Sequence, residues 1–344
     1  MRKFIFKTLL FTLPFLTLYS FTYLFYSTAE SPDLLRLGYI PNVYKSYREV
    51  FDFNKIKKFE LLSKSSNRKF EILTIGDSFS EQNVIGYKNE LANDFTVLHV
   101  DRFISHNQIQ TLMNLVKGDF FDKYKIKYVV LQNVERYIIE NSEEIDSNCT
   151  LTTNDIDTLV ANHKAKEEVF KYDFFSRATL KFPLSSAKFF LKNNYLSNEV
   201  VYNVQLNAKS LFSNNSDKLL FYFQDLAKVE KNNLVENSIN LNDILNTISE
   251  KLQQKNVKLI VLPSPDKYDL YYDYIVDKKN FTKPLFFENF KKLKKDYIYI
   301  DSKEILSEKL KTEKDVYFFD DTHWSPVSSK LIANEIKNSI KKAP

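Results

Sequence analysis

The sequence predicts an α/β fold: a doubly wound, flavodoxin-like, five-stranded parallel sheet with helices on both faces. Two observations predict it. Short, largely apolar runs recur between residues 70 and 300, and amphipathic stretches of helical period separate them. Strands apolar on both faces belong to a sheet covered on both sides, and right-handed crossovers then give a doubly wound sandwich. Phe70 to Ile75 reads as the first strand and Glu81 to Ala92 as the first helix. Phe95 to Val100 is the second strand, Asn107 to Tyr124 the second helix, and Tyr128 to Gln132 the third strand. A helix from about Asn240 to Gln254 leads into the fourth strand, Val257 to Leu262. A helix from about Leu285 to Lys295 leads into the fifth, Tyr297 to Ile300. Pro326 to Lys342 reads as the last helix.

Residues 140 to 235 break the alternation. Aromatic-rich pieces such as Phe170 to Phe175 and Leu219 to Leu226 are separated by Asn/Ser-rich turns. This stretch is too long for a loop and is expected to form a mainly helical lid or subdomain. Residues 27 to 69 form a lead-in, and 70 to 344 form the main domain.

The first 26 residues have another character. Arg2, Lys3 and Lys7 precede Thr8 to Tyr26, a run without charge that is long enough to span a bilayer as a helix. The basic residues place its start in the cytoplasm, with the remainder exported as a single-pass membrane protein. Ser27-Thr28-Ala29 would suit cleavage if the run were a signal peptide instead.

Composition excludes several functions. With 344 residues and ordinary hydrophobic content, a sizeable core is feasible; 30 Phe and 21 Tyr beside 4 Gly indicate a packed domain with few tight turns. The net charge of +5 is mild and its lysine runs read as a solvated face, so nucleic-acid binding is not supported. Cys149 is the single cysteine, which excludes an intrachain disulfide and a cysteine-based metal site. It lies in a polar stretch without a nearby His, a poor setting for a nucleophile, and within an Asn148-Cys149-Thr150 sequon. Neither His99 and His106 nor His163 has metal-ligand spacing, so no metal and no cofactor are expected.

Two polar strings carry the chemistry. Gly76-Asp77-Ser78-Phe79-Ser80 follows the first strand, and Asp320-Asp321-Thr322-His323-Trp324 precedes the last helix. In an open parallel sheet the reactive edge lies at the carboxyl ends of the strands. Ser78 falls there as a candidate nucleophile, with Gly76 allowing an unusual turn and the following helix directing its N-terminal amides at the site. His323, also read as following the last strand, would activate Ser78, and Asp321 or Asp320 would hold the imidazole. Ser325-Pro326 would cap and open the last helix. Each string alone also suits a helix cap; their joint placement on one sheet edge favours a triad.

These strings resemble the first and last blocks of SGNH hydrolases. The Asp-x-His-Trp form is similar to the SGNH-like proteins of alginate O-acetylation and to the DHHW family. Val134-Glu135-Arg136 and Pro265-Asp266-Lys267-Tyr268, followed by Tyr271, add to the likeness. The resemblance implies an extracytoplasmic serine O-acyltransferase, most simply an O-acetyltransferase, that modifies a cell-surface polysaccharide. It implies as partner a membrane-bound O-acyltransferase that supplies the acyl group. The family's spacing favours Asp321 as triad acid, and the wider superfamily's favours Asp320. The superfamily adds a Gly after the second strand to its oxyanion hole, which this chain lacks, and an Asn for which Asn133 stands. Arg136, Lys267, Tyr268, Tyr271 and Trp324 are further candidates for oxyanion or substrate contacts. Arg136 can equally pair with an acid, and the tyrosines can equally pack beneath the insertion. An esterase removing the same groups, or a non-catalytic glycan-binding component of an export complex, are the alternatives.

Overall fold

In the computed structural model, residues 1–25, 34, 51–52, 54–169 and 201–342 are described. The strands are β1 (Glu60–Leu61), β2 (Ile72–Ile75), β3 (Val97–His99), β4 (Tyr128–Val134), β5 (Val201–Gln205), β6 (Lys218–Tyr222), β7 (Lys258–Ser264) and β8 (Ile298–Tyr299). The main helices are α1 (Arg2–Phe25), α2 (Tyr87–Leu91), α3 (Gln108–Lys117), α4 (Glu135–Glu143) and α5 (Thr153–Val169). They continue with α6 (Val235–Gln253), α7 (Lys267–Tyr271), α8 (Phe286–Lys291), α9 (Ser302–Lys309) and α10 (Pro326–Lys342).

The central sheet has six strands in the order β1-β3-β2-β4-β7-β8, and every pair is parallel. The five expected strands keep the flavodoxin-like order. The sixth is β1, an edge strand from the lead-in segment that pairs Glu60 with Leu98 and Leu61 with His99. Two residues carry no readable period, which is why the sequence hides it.

Alternate strand residues feed two cores, as a pleat requires. Ile72, Val97, Val130 and Ile260 face one core, with α2 and the apolar stripe Ile332, Ile336 and Ile340 of α10. Leu73, Leu98, Val129, Leu131, Leu259 and Val261 face the other, with α3, α6 and α8. Strand order reverses between β2 and β4, so their carboxyl ends diverge and leave a crevice there.

Three helices depart from expectation. The continuous helix expected from Glu81 is replaced by a 3-10 turn at Asn83–Ile85 and the five-residue α2, because Gly86 between them is extended (φ −81°, ψ 161°). Ser78 therefore sits on a turn, without a long helix dipole aimed at it. The expected second helix stops at Gly118, with a short helix at Phe120–Lys123 beyond. Helix α9, capped by Asp301, intervenes between the last strand and His323, which lies instead on a loop that returns to the sheet edge.

The described part of the insertion holds more helix than strand, but it also contains a small sheet that the helical reading did not foresee. α5 is a helix, but β5 and β6 form a two-stranded antiparallel sheet, and a short helix follows at Phe223–Ala227. Aromatics in register at Tyr202 and Phe221 stack at 5.0 Å, a cross-strand pair that suits a strand better than a helix. The stretch Phe170 to Phe175 lies outside the described residues.

The expected membrane anchor is corrected as well. α1 forms and its apolar side chains are exposed, among them Phe4, Phe11 and Phe15. Yet among the described residues no helix is long and apolar enough to cross a membrane. Lys3, Lys7, Pro14 and the hydroxyls of Thr8, Thr12, Thr17, Tyr19 and Ser20 dilute its hydropathy.

Candidate active site

Ser78 stands on the turn leaving β2. Asp77 shapes that turn: its carboxylate accepts from the Phe79 amide at 2.9 Å and from the Val134 amide at 2.5 Å. The same side chain thus folds the turn as an Asx motif and ties it to the end of β4. Gln132 makes the second tie. Its Oε1 accepts from the Asp77 amide at 3.0 Å and from Ser80 Oγ at 2.9 Å, and its Nε2 donates to Ser264 Oγ at 3.1 Å. Ser80 Oγ also meets Tyr87 Oη at 2.9 Å.

Gly76 serves this packing and does not adopt a left-handed backbone. A Cβ there would fall 1.9 Å from Ser80 Oγ and 2.6 Å from Gln132 Oε1, so any larger residue would displace the network behind Ser78.

The loop carrying His323 is held by its own pairing and by a buried lysine. Tyr317 bridges Trp324, and the Phe318 amide donates to the His323 carbonyl at 3.2 Å. Lys267, at the start of α7 and fully buried, donates to the carbonyls of Phe318 (2.7 Å), Phe319 (2.7 Å) and Asp321 (3.2 Å). Three carbonyl acceptors provide for the ammonium's donors in the buried interior. Val327 donates to Ser325 Oγ at 3.1 Å, so Ser325 does cap α10.

Within the loop, Asp321 Oδ1 lies 2.5 Å from His323 Nδ1 and accepts from the His323 amide at 3.0 Å. A buried carboxylate facing Nδ1 favours the proton on that nitrogen, which leaves Nε2 as the basic position. The hydrogen bonds place Asp321, not Asp320, on the imidazole.

The two strings meet. The Phe79 ring packs 4.8 Å from the His323 ring and 5.1 Å from Trp324. Gln82 donates to the Trp324 carbonyl at 2.5 Å and accepts from Ser329 Oγ at 3.1 Å, which joins the serine turn to the histidine loop and α10. The hydrogen bonds among the described residues do not include one from Ser78 Oγ to His323; catalytic contacts commonly close only around substrate.

The remaining candidates divide. Asn133 is buried and donates to Gln108 Oε1 at 2.8 Å on the α3 side. It follows Gln132 on a strand, so it points to the opposite face, away from the serine turn. Arg136 is buried between Asp225 (3.1 Å) and Asp266. Tyr268 donates to the Thr282 carbonyl at 2.7 Å, and Tyr271 accepts from the Tyr317 amide at 3.2 Å. Tyr268, Tyr271 and Trp324 are all fully buried and pack the core beneath the loop instead of lining an open groove.

The sequence reading missed Gln82, Gln132 and Ser264, and it missed a buried charge group behind the site. Glu135, Asp225, Asp266 and Asp269 share one interior region with Arg136 and Lys303. Burial pushes Glu135 and Asp266 well above the usual carboxylate range, and the neighbouring acids add to the shift. Burial also raises Asp225 and Asp269, against the opposing charges of Arg136 and Lys303 respectively. Beside the serine turn, Glu81 meets His99 Nε2 at 2.8 Å, and burial lowers Lys88 to about 8. Among the described residues no cluster suits a metal.

Residues 215–344 match the family model described as SGNH hydrolase-like domain, acetyltransferase AlgX. Over that stretch the chain is SGNH hydrolase-like. The matched stretch carries Lys267, Asp321, His323 and Trp324, but not Ser78. The place of Ser78 rests on the packing of its turn against the matched loop. No curated protein and no solved structure matches.

Proposed function

We propose that the chain is a serine O-acyltransferase, most simply an O-acetyltransferase, that modifies hydroxyls of an exported polysaccharide through Ser78, His323 and Asp321. The Asp321–His323 pair, seated by Phe79 against the serine turn, carries this reading. The match to an acetyltransferase family supports the acyl chemistry. A membrane-bound O-acyltransferase is the proposed acyl supplier. Work outside the cytoplasm follows from the proposed exported substrate, and the basic tip and exposed apolar side chains of α1 suit contact with a membrane surface.

In the proposed reaction Ser78 Oγ attacks the acyl carbonyl while His323 Nε2 takes its proton. The oxyanion is met by the Ser78 amide, and the donor's oxygen leaves with the proton from His323. A sugar hydroxyl then attacks the acyl-serine, gives its proton to His323, and Ser78 leaves as the hydroxyl. Asp321 fixes the imidazole and stabilises its charged form in both steps. Water in place of the sugar gives an esterase.

Ser78→Ala should abolish hydrolysis of a small activated acetyl ester by the purified chain, with its circular dichroism unchanged. Unaltered turnover would sink the proposal. Mass spectrometry of an oligosaccharide acceptor separates transfer from hydrolysis, and retained glycan modification in cells bearing Ser78→Ala would favour the non-catalytic alternative.

A further inference from the structure

A polar chain runs through the core beside the serine turn, and the proposed chemistry does not use it. Thr74 and His99 are register partners in the parallel pair β2–β3, and both are fully buried. They lie on the face where Ile72 and Val97 are core residues. Thr74 Oγ1 lies 2.8 Å from His99 Nδ1, and His99 Nε2 lies 2.8 Å from Glu81 Oε1. His99 therefore bridges from Thr74, before Ser78 in the chain, to Glu81, after it.

Charge fixes the proton positions in this chain. Burial holds the imidazole below its ordinary value, so His99 is neutral and carries one ring proton. Burial alone would raise the Glu81 carboxyl, but the His99 hydrogen bond and the Lys88 charge outweigh that and hold it low. A carboxylate only accepts, so Nε2 carries the proton and Thr74 Oγ1 donates to Nδ1. Buried Lys88 completes the group, 3.9 Å from Glu81 and with its ammonium 4.4 Å from the centre of the Phe59 ring. Apolar residues at 74 and 99 would serve the core about as well, since a buried polar network adds little net stability. What the network supplies is a fixed direction for Glu81.

Glu81 matters to both halves of the site. Its amide donates to the Ser78 carbonyl at 3.1 Å. The next residue, Gln82, donates to the Trp324 carbonyl and accepts from Ser329 Oγ at 3.1 Å. The segment that His99 holds is thus the one that joins the serine turn to the histidine loop. We propose that His99, acting through Glu81, is a positioning residue that sets Ser78 against His323. The inference rests on the acyltransferase reading for its effect on turnover; the hold of His99 on the turn does not.

His99→Phe in the purified full chain fills the same space without the two hydrogen bonds, and Thr74 keeps the Leu98 carbonyl at 3.3 Å. In hydrolysis of a small activated acetyl ester, kcat should fall at least ~10-fold with KM within about twofold of wild type. His99→Gln, whose amide can donate to Glu81 from near the Nε2 position, should recover kcat to within about threefold of wild type. Glu81→Ala, at a part-exposed position, should repeat the loss, and Glu81→Gln, which still accepts from His99, should not. That pair decides the matter where His99→Phe does not fold. Amide hydrogen exchange reads the turn without turnover: the Glu81 amide should exchange at least ~10-fold faster in His99→Phe, with β4 and β7 unchanged. Unchanged kcat in His99→Phe or Glu81→Ala, equal losses in His99→Phe and His99→Gln, or unchanged exchange at Glu81 would each overturn the proposal. Were Ser78→Ala to leave ester hydrolysis intact, the acyltransferase reading would fall, and the exchange result alone would decide whether His99 holds the turn.

Discussion

At Asp321 a single carboxylate oxygen does two things, accepting from the His323 ring and from the His323 backbone amide. An amide side chain in its place keeps the size but can present a donor to Nδ1 and so favour the wrong imidazole tautomer. If the proposed mechanism holds, Asp321→Asn should therefore reduce ester turnover by ~10³- to 10⁴-fold with an unchanged fold, the loss known for the equivalent change in a serine triad. A loss under tenfold would show that Asp321 does not orient the base. The sequence left Asp320 and Asp321 open because two adjacent acids differ only in direction, and the loop's Tyr317–Trp324 bridge sets that direction. The same limit applies to Asn133 and Gln132. Both are polar residues at the end of a strand, and only the pleat decides that Gln132 faces the serine turn.

Between elements, Lys267 is the main connection from α7 to the histidine loop. Replacing it by Met would remove the donor from three carbonyls in the interior. Each buried acceptor left unsatisfied costs about 1–3 kcal/mol, so a substantial fall in unfolding free energy is expected. The loop should open before the molecule does. Amide hydrogen exchange over residues 316–325 should accelerate in Lys267→Met more than exchange in β4 and β7; equal acceleration in both would mean that Lys267 stabilises the fold without positioning the loop. Most of the sheet was legible in the sequence because β2, β3, β4 and β7 are apolar on both faces. The edge strand β1 was not legible, since it is short and defined only by its neighbour. The β5–β6 pair was read as helical because its aromatic residues lie among turns without a clear period, and cross-strand stacking, absent from a linear sequence, decided it.

Across the whole molecule, the buried acidic group makes stability depend on pH. Glu135 has a folded value well above its ordinary 4.5, from burial first and from Asp269 and Asp266 second. The folded state then holds a proton that the unfolded chain releases. Its contribution is fully present below about pH 4.5 and is lost as pH rises towards the folded value. Glu135→Gln removes this proton and retains an oxygen to accept from the Asp266 amide. Relative to the wild type, the variant should gain stability as pH rises from 4.5 to 7.5, by at most about 1.4 kcal/mol per pH unit. Urea unfolding of both chains across that range tests it; a difference that does not change with pH, or that shrinks as pH rises, would contradict the assignment.

The sequence by itself determined five of the six parallel strands, the turn at Ser78 and the placing of Asp and His in one loop. These follow from apolar periodicity and from residue types at short spacing, and both are local. Only the tertiary structure decided which acid holds His323, that Gln82 and Gln132 join the two strings, and that the expected substrate residues Tyr268, Tyr271 and Trp324 are core. It also placed His99 between Thr74 and Glu81. Those outcomes depend on contacts between residues tens to hundreds of positions apart, which the packing of helices on both faces of the sheet creates.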